Sequence, residues 1–210
     1  PTFIQTMLGN NRFSNKDILS SINHLKKSGG KKFNKDLLNP NNKIYVGKFP
    51  GKWSPKKDIS KKDVLIIGSG PGIKEYQNII ETYIEKNKPY VIALNTQRSI
   101  NEKLINIRAS CNALSLISDR NNFKKLKQTL VLPIGRMSEE IKNFLKSNKV
   151  LDFGLEVKQK KFEFKEKYAI LPNSLVASYA LGIATSGKAK RILLAGFDGY
   201  PGDDPRTVEM

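Results

Sequence analysis

The sequence predicts an α/β fold, a Rossmann-like, doubly wound, mostly parallel sheet over residues 63–210, preceded by a small helical segment and a linker. Three observations carry that prediction. From Asp63 onward, short apolar runs alternate with stretches whose apolar residues recur at helical spacing, and strands alternating with helices pair in parallel through crossovers. The first run, Val64-Leu-Ile-Ile67, leads straight into Gly68-Ser-Gly-Pro-Gly72, where doubly wound sheets carry their first ligand-binding turn. The chain has 210 residues, 39% of them hydrophobic, which suffices for one domain with a core and a smaller appendage.

Taken in order, Pro1 to Leu8 reads as a short helix. Ser14-Asn-Lys-Asp17 is a capping box opening a second helix with Ile18, Ile22 and Leu25 on one face, and Gly29-Gly30 ends it. Residues 1–38 form this helical tail. Residues 39–62 form a basic linker in which Pro40, Gly47, Pro50, Gly51 and Pro55 interrupt any periodicity, while Tyr45 and Trp53 are expected to anchor it on a neighbouring surface. After the strand Val64–Ile67, a helix carries Ile73, Tyr76, Ile79, Ile80, Tyr83 and Ile84, and Tyr90–Leu94 is the second strand. Further strands are expected at Leu114–Ile117, Thr129–Leu132, Tyr168–Leu171 and Ile192–Ala195, with helices near Phe123–Lys127, Ser138–Leu145 and Leu175–Thr185. The last helix is rich in small residues (Ala177, Ala180, Gly182, Ala184), so close packing on the sheet is expected.

Charge and cysteine content exclude several classes. With 37 Lys plus Arg against 19 Asp plus Glu the net charge is +18, and residues 1–62 hold 14 of the former and 3 of the latter. Nucleic acid is the obvious partner for such a balance. The composition argues against it: 30 of the basic residues are Lys and 7 Arg, whereas base and phosphate recognition favours the Arg fork, and the 19 Asn beside them suggest a codon bias. No apolar run approaches the length of a membrane span, and no amphipathic helix accompanies the lysines at 52–62, so no membrane partner is expected. A single Cys111 forbids an internal disulfide and suits a reducing, cytoplasmic setting. The chain begins at Pro1, without a visible signal peptide, and reads as a fragment.

The chemistry is expected at the carboxyl ends of the strands. Glycines at Gly68, Gly70 and Gly72, with Ser69 and Pro71 between them, would permit a tight turn and let an anion approach backbone N–H groups; the alternative is a strand-to-helix turn and nothing more. The dinucleotide fingerprint Gly-x-Gly-x-x-Gly is incomplete, with Ile73 at its third glycine, and the second strand ends in Asn95-Thr-Gln97 with no acid for a ribose diol. Both departures argue against a nicotinamide or flavin enzyme. The carboxamides of Asn95 and Gln97 can read a base or sugar, or cap the next helix. Asn173 and Ser174 are N-cap candidates that can also face the cleft. Asp198 ends the last strand in a loop with Asp203 and Asp204, which read as turn formers, so no metal site is assigned. His24 has no partner for catalysis, and Cys111 reads as a small buried residue. No catalytic triad, carboxylate pair or other catalytic set is expected in this segment.

Two resemblances extend this reading. Pro1-Thr-Phe-Ile-Gln-Thr-Met-Leu8, Asp17-Ile-Leu19 and Gly29-Gly-Lys-Lys-Phe33 look like the tail after the catalytic barrel in enzymes similar to hydroxymethylglutaryl-CoA lyase and 4-hydroxy-2-oxovalerate aldolase. Val64 to Gly72, Val91 to Gln97 and Leu193 to Tyr200 resemble an extra C-terminal domain on some aldolase-like proteins. That resemblance implies a carbon–carbon lyase whose divalent metal and catalytic base belong to a barrel of the same chain upstream of Pro1, the present segment being an accessory, nucleotide- or phosphate-binding part. The second domain also resembles bacterial sialyltransferases that use a CMP-sugar donor, matching at Gly68, Gly70, Pro71, Asn95, Ser174, Gly196 and Asp198. This implies that those positions contact a nucleotide. Gly72 stands where that family has Ser, and the family's general-base His, expected downstream of the Gly-x-Asp pattern, has no counterpart after Asp198.

Overall fold

The computed structural model describes Asn23, residues 50–158 and residues 160–199; the helical tail, most of the linker, His24, Asp203 and Asp204 lie outside them. In chain order the strands are β1 (Asp63–Ile67), β2 (Tyr90–Leu94), β3 (Ile107–Ala109), β4 (Thr129–Leu132), β5 (Val150–Asp152), β6 (Gly154–Val157), β7 (Glu163–Phe164), β8 (Tyr168–Leu171) and β9 (Arg191–Ala195). The helices are α1 (Lys56–Ile59), α2 (Gly72–Glu75), α3 (Gln77–Asn87), α4 (Ala113–Ser118), α5 (Arg120–Lys125), α6 (Glu139–Phe144) and α7 (Val176–Ser186). Six strands form one all-parallel sheet in the order β5-β4-β3-β2-β1-β9, and β6-β8-β7 form a second, three-stranded sheet. This is the doubly wound α/β architecture the alternating pattern predicts.

Side chains alternate across a strand, so one apolar run feeds two cores. Val64 and Ile66 join Ile92, Leu94, Ile107 and Ala109 under α7, which contributes Tyr179, Ala180, Ile183 and Ala184. Leu65 and Ile67 face the other way with Val91 and Ala93, covered by Ile73 and by Ile84 of α3. A third cluster joins β4 to α4, α5 and α6 through Leu130, Leu132, Leu116, Phe123 and Ile141. The small-residue face of α7 does pack closely: a Cβ at Gly182 would lie 2.9 Å from that of Ala169 in β8.

Several elements differ from expectation. Leu114–Ile117 is not a strand but most of α4, because the Asn112 side chain accepts from the backbone N–H groups of Leu114 (2.9 Å) and Ser115 (3.4 Å) and so starts a helix there. The strand in that part of the chain is β3, one element earlier. The helix after the glycine turn is broken at Tyr76 into α2 and α3, leaving Tyr76 and Ile79 exposed. Tyr168–Leu171 is a strand, but of the second sheet. The described part of the linker, residues 50–62, is built into the domain. Ile59 is fully buried, Trp53 meets Phe153 edge-on at 6.4 Å and donates from Nε1 to Asp58 (3.1 Å), and Lys190 N donates to Lys62 O at 2.8 Å.

Candidate cleft at the carboxyl ends of β1, β2 and β9

Strand β1 is the switch point of the winding: β2, β3, β4 and β5 follow on one side of it and β9 lies on the other. The register aligns Ile67 with both Ala93 and Ala195, so the turns leaving β1, β2 and β9 emerge at one level. Gly68–Gly72, Asn95–Gln97 and Gly196–Asp198 therefore share the end of the sheet where such folds bind ligands.

The glycine bend is packed against the end of β9. Gly68 N donates to Ala195 O (2.8 Å), Gly70 N to Gly196 O (2.9 Å) and Gly72 N to the Asp198 carboxylate (2.7 Å). Glycine is required at both faces of this contact: a Cβ on Gly68 would stand 2.4 Å from Gly196 O, and one on Gly70 2.3 Å from Asp198 Oδ1. Gly196 itself has φ +73°, in the left-handed region that favours glycine. The anion at the bend is thus the protein's own carboxylate, and the three amides anticipated as free donors are already bonded. Ser69 and Pro71 are exposed beside them. Asp198 lies at this bend, its carboxylate on Gly72 N, while Asp203 and Asp204 lie outside the described residues; among the described residues no three His, Cys, Asp or Glu side chains group as a metal site.

Next to this bend, Asn95 leaves β2 with φ +50°, a conformation asparagine tolerates better than most residues. Its N–H donates to Ala109 O at 2.9 Å, and its side-chain Oδ1 accepts from Ser110 Oγ at 2.8 Å. The Nδ2 group has no partner among the described residues. Gln97 is buried, and among the described residues neither its Nε2 nor its Oε1 has a hydrogen-bond partner. Orphaned buried amides of this kind cost roughly 1–3 kcal/mol each when unmatched. Their backbone is held from below: the fully buried Arg108 of β3 donates from Nη1 to Gln97 O (2.6 Å) and Asn95 O (3.3 Å). Burial lowers the Arg108 pKa, partly offset by Glu102 at 3.7 Å.

The start of α7 completes this side of the cleft. Cys111 Sγ, one residue beyond Ser110, donates to Ser174 O at 3.1 Å and so brings the half-buried Ser174 next to the end of β3. Neither Asn173 nor Ser174 is the N-cap expected of them: Leu175 holds that position without a side-chain cap, and Asn173 Oδ1 accepts from Leu175 N at 3.3 Å in the turn before the helix. Cys111 is buried, and burial pushes its thiol up to about 12, so it is held as a neutral thiol. The bonds thus tie Asn95 and Gln97 to Arg108, Asn95 to Ser110 and Ser174 to Cys111, all three partners in β3 or just beyond its end, and join Gly68–Gly72 to the Gly196–Asp198 turn. Sequence reading missed Arg108 and Ser110. The available signal was an arginine between Ile107 and Ala109 in the short segment Asn106-Ile-Arg-Ala-Ser110.

The described residues define a Rossmann-like α/β domain whose β1, β2 and β9 turns meet at its switch point. No protein-family model matches the sequence, and no curated protein does. Among solved structures it is similar to the MAf glycosyltransferase from Magnetospirillum magneticum AMB-1, at 14% identity and a TM-score of 0.51. The match covers 75% of this chain and 26% of that one, and at this identity the likeness is one of fold. No helix among the described residues is long and apolar enough to cross a membrane.

Proposed function

We propose that this chain carries the nucleotide-sugar-binding domain of a glycosyltransferase of the sialyltransferase-like kind, taking a CMP-sugar or a related nucleotide in the cleft above β1 and β2. The observation that carries the reading is the set of unspent amides there: Asn95 Nδ2 and both polar atoms of the buried Gln97. A ligand that both donates and accepts, as a pyrimidine edge or ribose does, matches carboxamides better than an ion alone would. Ser174 stands on the same side of the cleft to meet a phosphate or sugar oxygen, and Asp198 faces it from β9. Support also comes from the fold shared with a glycosyltransferase and from the resemblance at Gly68, Gly70, Pro71, Asn95, Ser174 and Asp198. The aldolase-like resemblance rests largely on residues 1–33, nearly all outside the described residues, and none of the comparisons supports it.

In this reading the chain binds and orients the donor. Its backbone bonds between the β1 and β9 turns make a rigid floor, and the β2 turn presents the hydrogen-bonding groups. Calorimetry of the complete 210-residue chain with CMP, a CMP-sugar, UMP, AMP and GMP tests it. Binding of the cytidine ligands is expected, with Asn95→Ala and Gln97→Ala each weakening it about tenfold, the equivalent of ~1.4 kcal/mol. A folded chain that binds none of these nucleotides overturns the proposal.

A further inference from the structure

Arg108 is the largest fully buried side chain of the domain, and it lies in β3, between β2 and β4. Its neighbours in the strand, Ile107 and Ala109, are core residues, and an apolar residue would be the ordinary occupant of such a position. Among the described residues no carboxylate holds it at hydrogen-bond distance: Glu102 Oε1 is 3.7 Å from Nη2, and Nη2 makes no hydrogen bond there. A buried cation so weakly paired is costly, and its position is best understood from what the guanidinium grips.

It grips the β2 turn. Nη1 donates to two carbonyls, of Asn95 and Gln97, while Nε donates to Gln128 Oε1 at 3.1 Å, and Gln128 Nε2 in turn donates to Glu102 O at 3.0 Å. The carbonyls belong to the segment that leaves β2 through the left-handed Asn95. Two residues on from Arg108, just past the end of β3, Ser110 holds the Asn95 side chain through Oδ1. Asn95 is therefore bonded twice from this segment, at its peptide carbonyl and at its side-chain carbonyl, which leaves Nδ2 as its remaining donor.

We propose that Arg108 is a positioning residue for the cleft, fixing the peptide planes of residues 95–97 so that Asn95 presents its Nδ2 to an acceptor atom of the ligand. This rests on the nucleotide reading above and adds to it the residue behind the turn and the polarity of the contact. The guanidinium would touch no ligand. Its effect passes through the grip on the residue 95–97 backbone to the Asn95 side chain.

A double-mutant cycle on the complete chain tests it, with CMP as the probe. Asn95→Ala and Arg108→Gln should each weaken CMP about tenfold, and the double variant should also be weaker by about tenfold rather than a hundredfold, because both remove one contact. Arg108→Lys, which keeps the charge and loses the fork, should recover only part of the affinity. A folded Arg108→Gln that binds CMP as the parent does, or losses that multiply in the double variant, overturns the proposal. If the parent binds no nucleotide, the nucleotide reading fails, and amide hydrogen exchange then decides this one. Arg108→Gln should speed exchange at Asn95 and Gln97 at least about tenfold relative to Leu65 and Ile92, and equal exchange would overturn it. Should Arg108→Gln not fold, Arg108→Lys carries the same measurements.

Discussion

Replacing Gly196 with alanine tests the idea that the β1 and β9 turns are locked together by backbone contact. Two costs combine. The residue has φ +73°, and holding an L-residue in the left-handed region costs about 1–2 kcal/mol. The new Cβ would also stand 2.3 Å from Cγ1 and 3.0 Å from Cδ1 of Ile73. Ile73 is 1% exposed and cannot swing into solvent, so overpacking adds roughly 1–3 kcal/mol. Alanine recovers about 0.4–1 kcal/mol by restricting the unfolded chain. The net loss is about 1–4.6 kcal/mol, a fall in Tm of roughly 2–18 °C for a domain of this size. Thermal and urea unfolding followed by circular dichroism measure it. Gly199 is the control: it has φ +72° and nothing within 4 Å of a built Cβ, so Gly199→Ala should lose only about 1 kcal/mol. In an Ile73→Ala background most of the steric part should go, leaving the 3.2 Å approach to the Gly68 backbone, and the cost of Gly196→Ala should fall towards about 1 kcal/mol. Equal losses at Gly196 and Gly199, or no coupling to Ile73, would refute the close contact between the two turns.

Three further outcomes follow from the geometry. Gly70→Ala should destabilise the chain, and about 1 kcal/mol of that loss should disappear in an Asp198→Ala background, since the new Cβ would meet Asp198 Oδ1 at 2.3 Å while the Gly196 O contact at 2.8 Å remains; paired urea melts read the difference. Asn112→Ala should cost about 1 kcal/mol by removing the cap of α4, measured by the same melts, and an unchanged midpoint would contradict the capping geometry. The Cys111 thiol is raised to about 12 by burial, whereas an unfolded thiol titrates near ~8.5. The unfolded chain therefore loses this proton first, and stability should fall by about 1.4 kcal/mol per pH unit above pH 9 relative to Cys111→Ala. Below pH 8 the two proteins should show the same pH slope, and iodoacetamide at pH 8 should label Cys111 only after unfolding.

How much of this could be read from the sequence depends on how local the cause is. β1, β2, β4, β8 and β9 are legible because each is a short apolar run with β-branched or aliphatic residues, buried on both faces in the main sheet except at the β9 edge. Leu114–Ile117 is an equally apolar run, and periodicity cannot separate a buried strand from a short helix. The Asn112 cap decides it. The strand β3 was illegible for the opposite reason: it is three residues long and has an arginine at its centre, so it breaks the pattern by which core strands are recognised.

The site divides the same way. Asn95, Gln97 and Ser174 follow from position in a βα repeat, which is a local property. The occupation of the glycine bend by Asp198 joins residues 126 positions apart, and no spacing rule reaches that far. Consistency between local pattern and global fold is the condition for a sequence to specify one structure, and breaches of it tend to fall at functional positions. Here the breaches are Arg108 in a core strand, Asn95 at positive φ and Gln97 buried without partners. The first bonds the carbonyls of the other two. Three departures from the ordinary pattern that converge on one turn are the ground, more than the glycines, on which the proposal of a ligand-binding β2 turn rests.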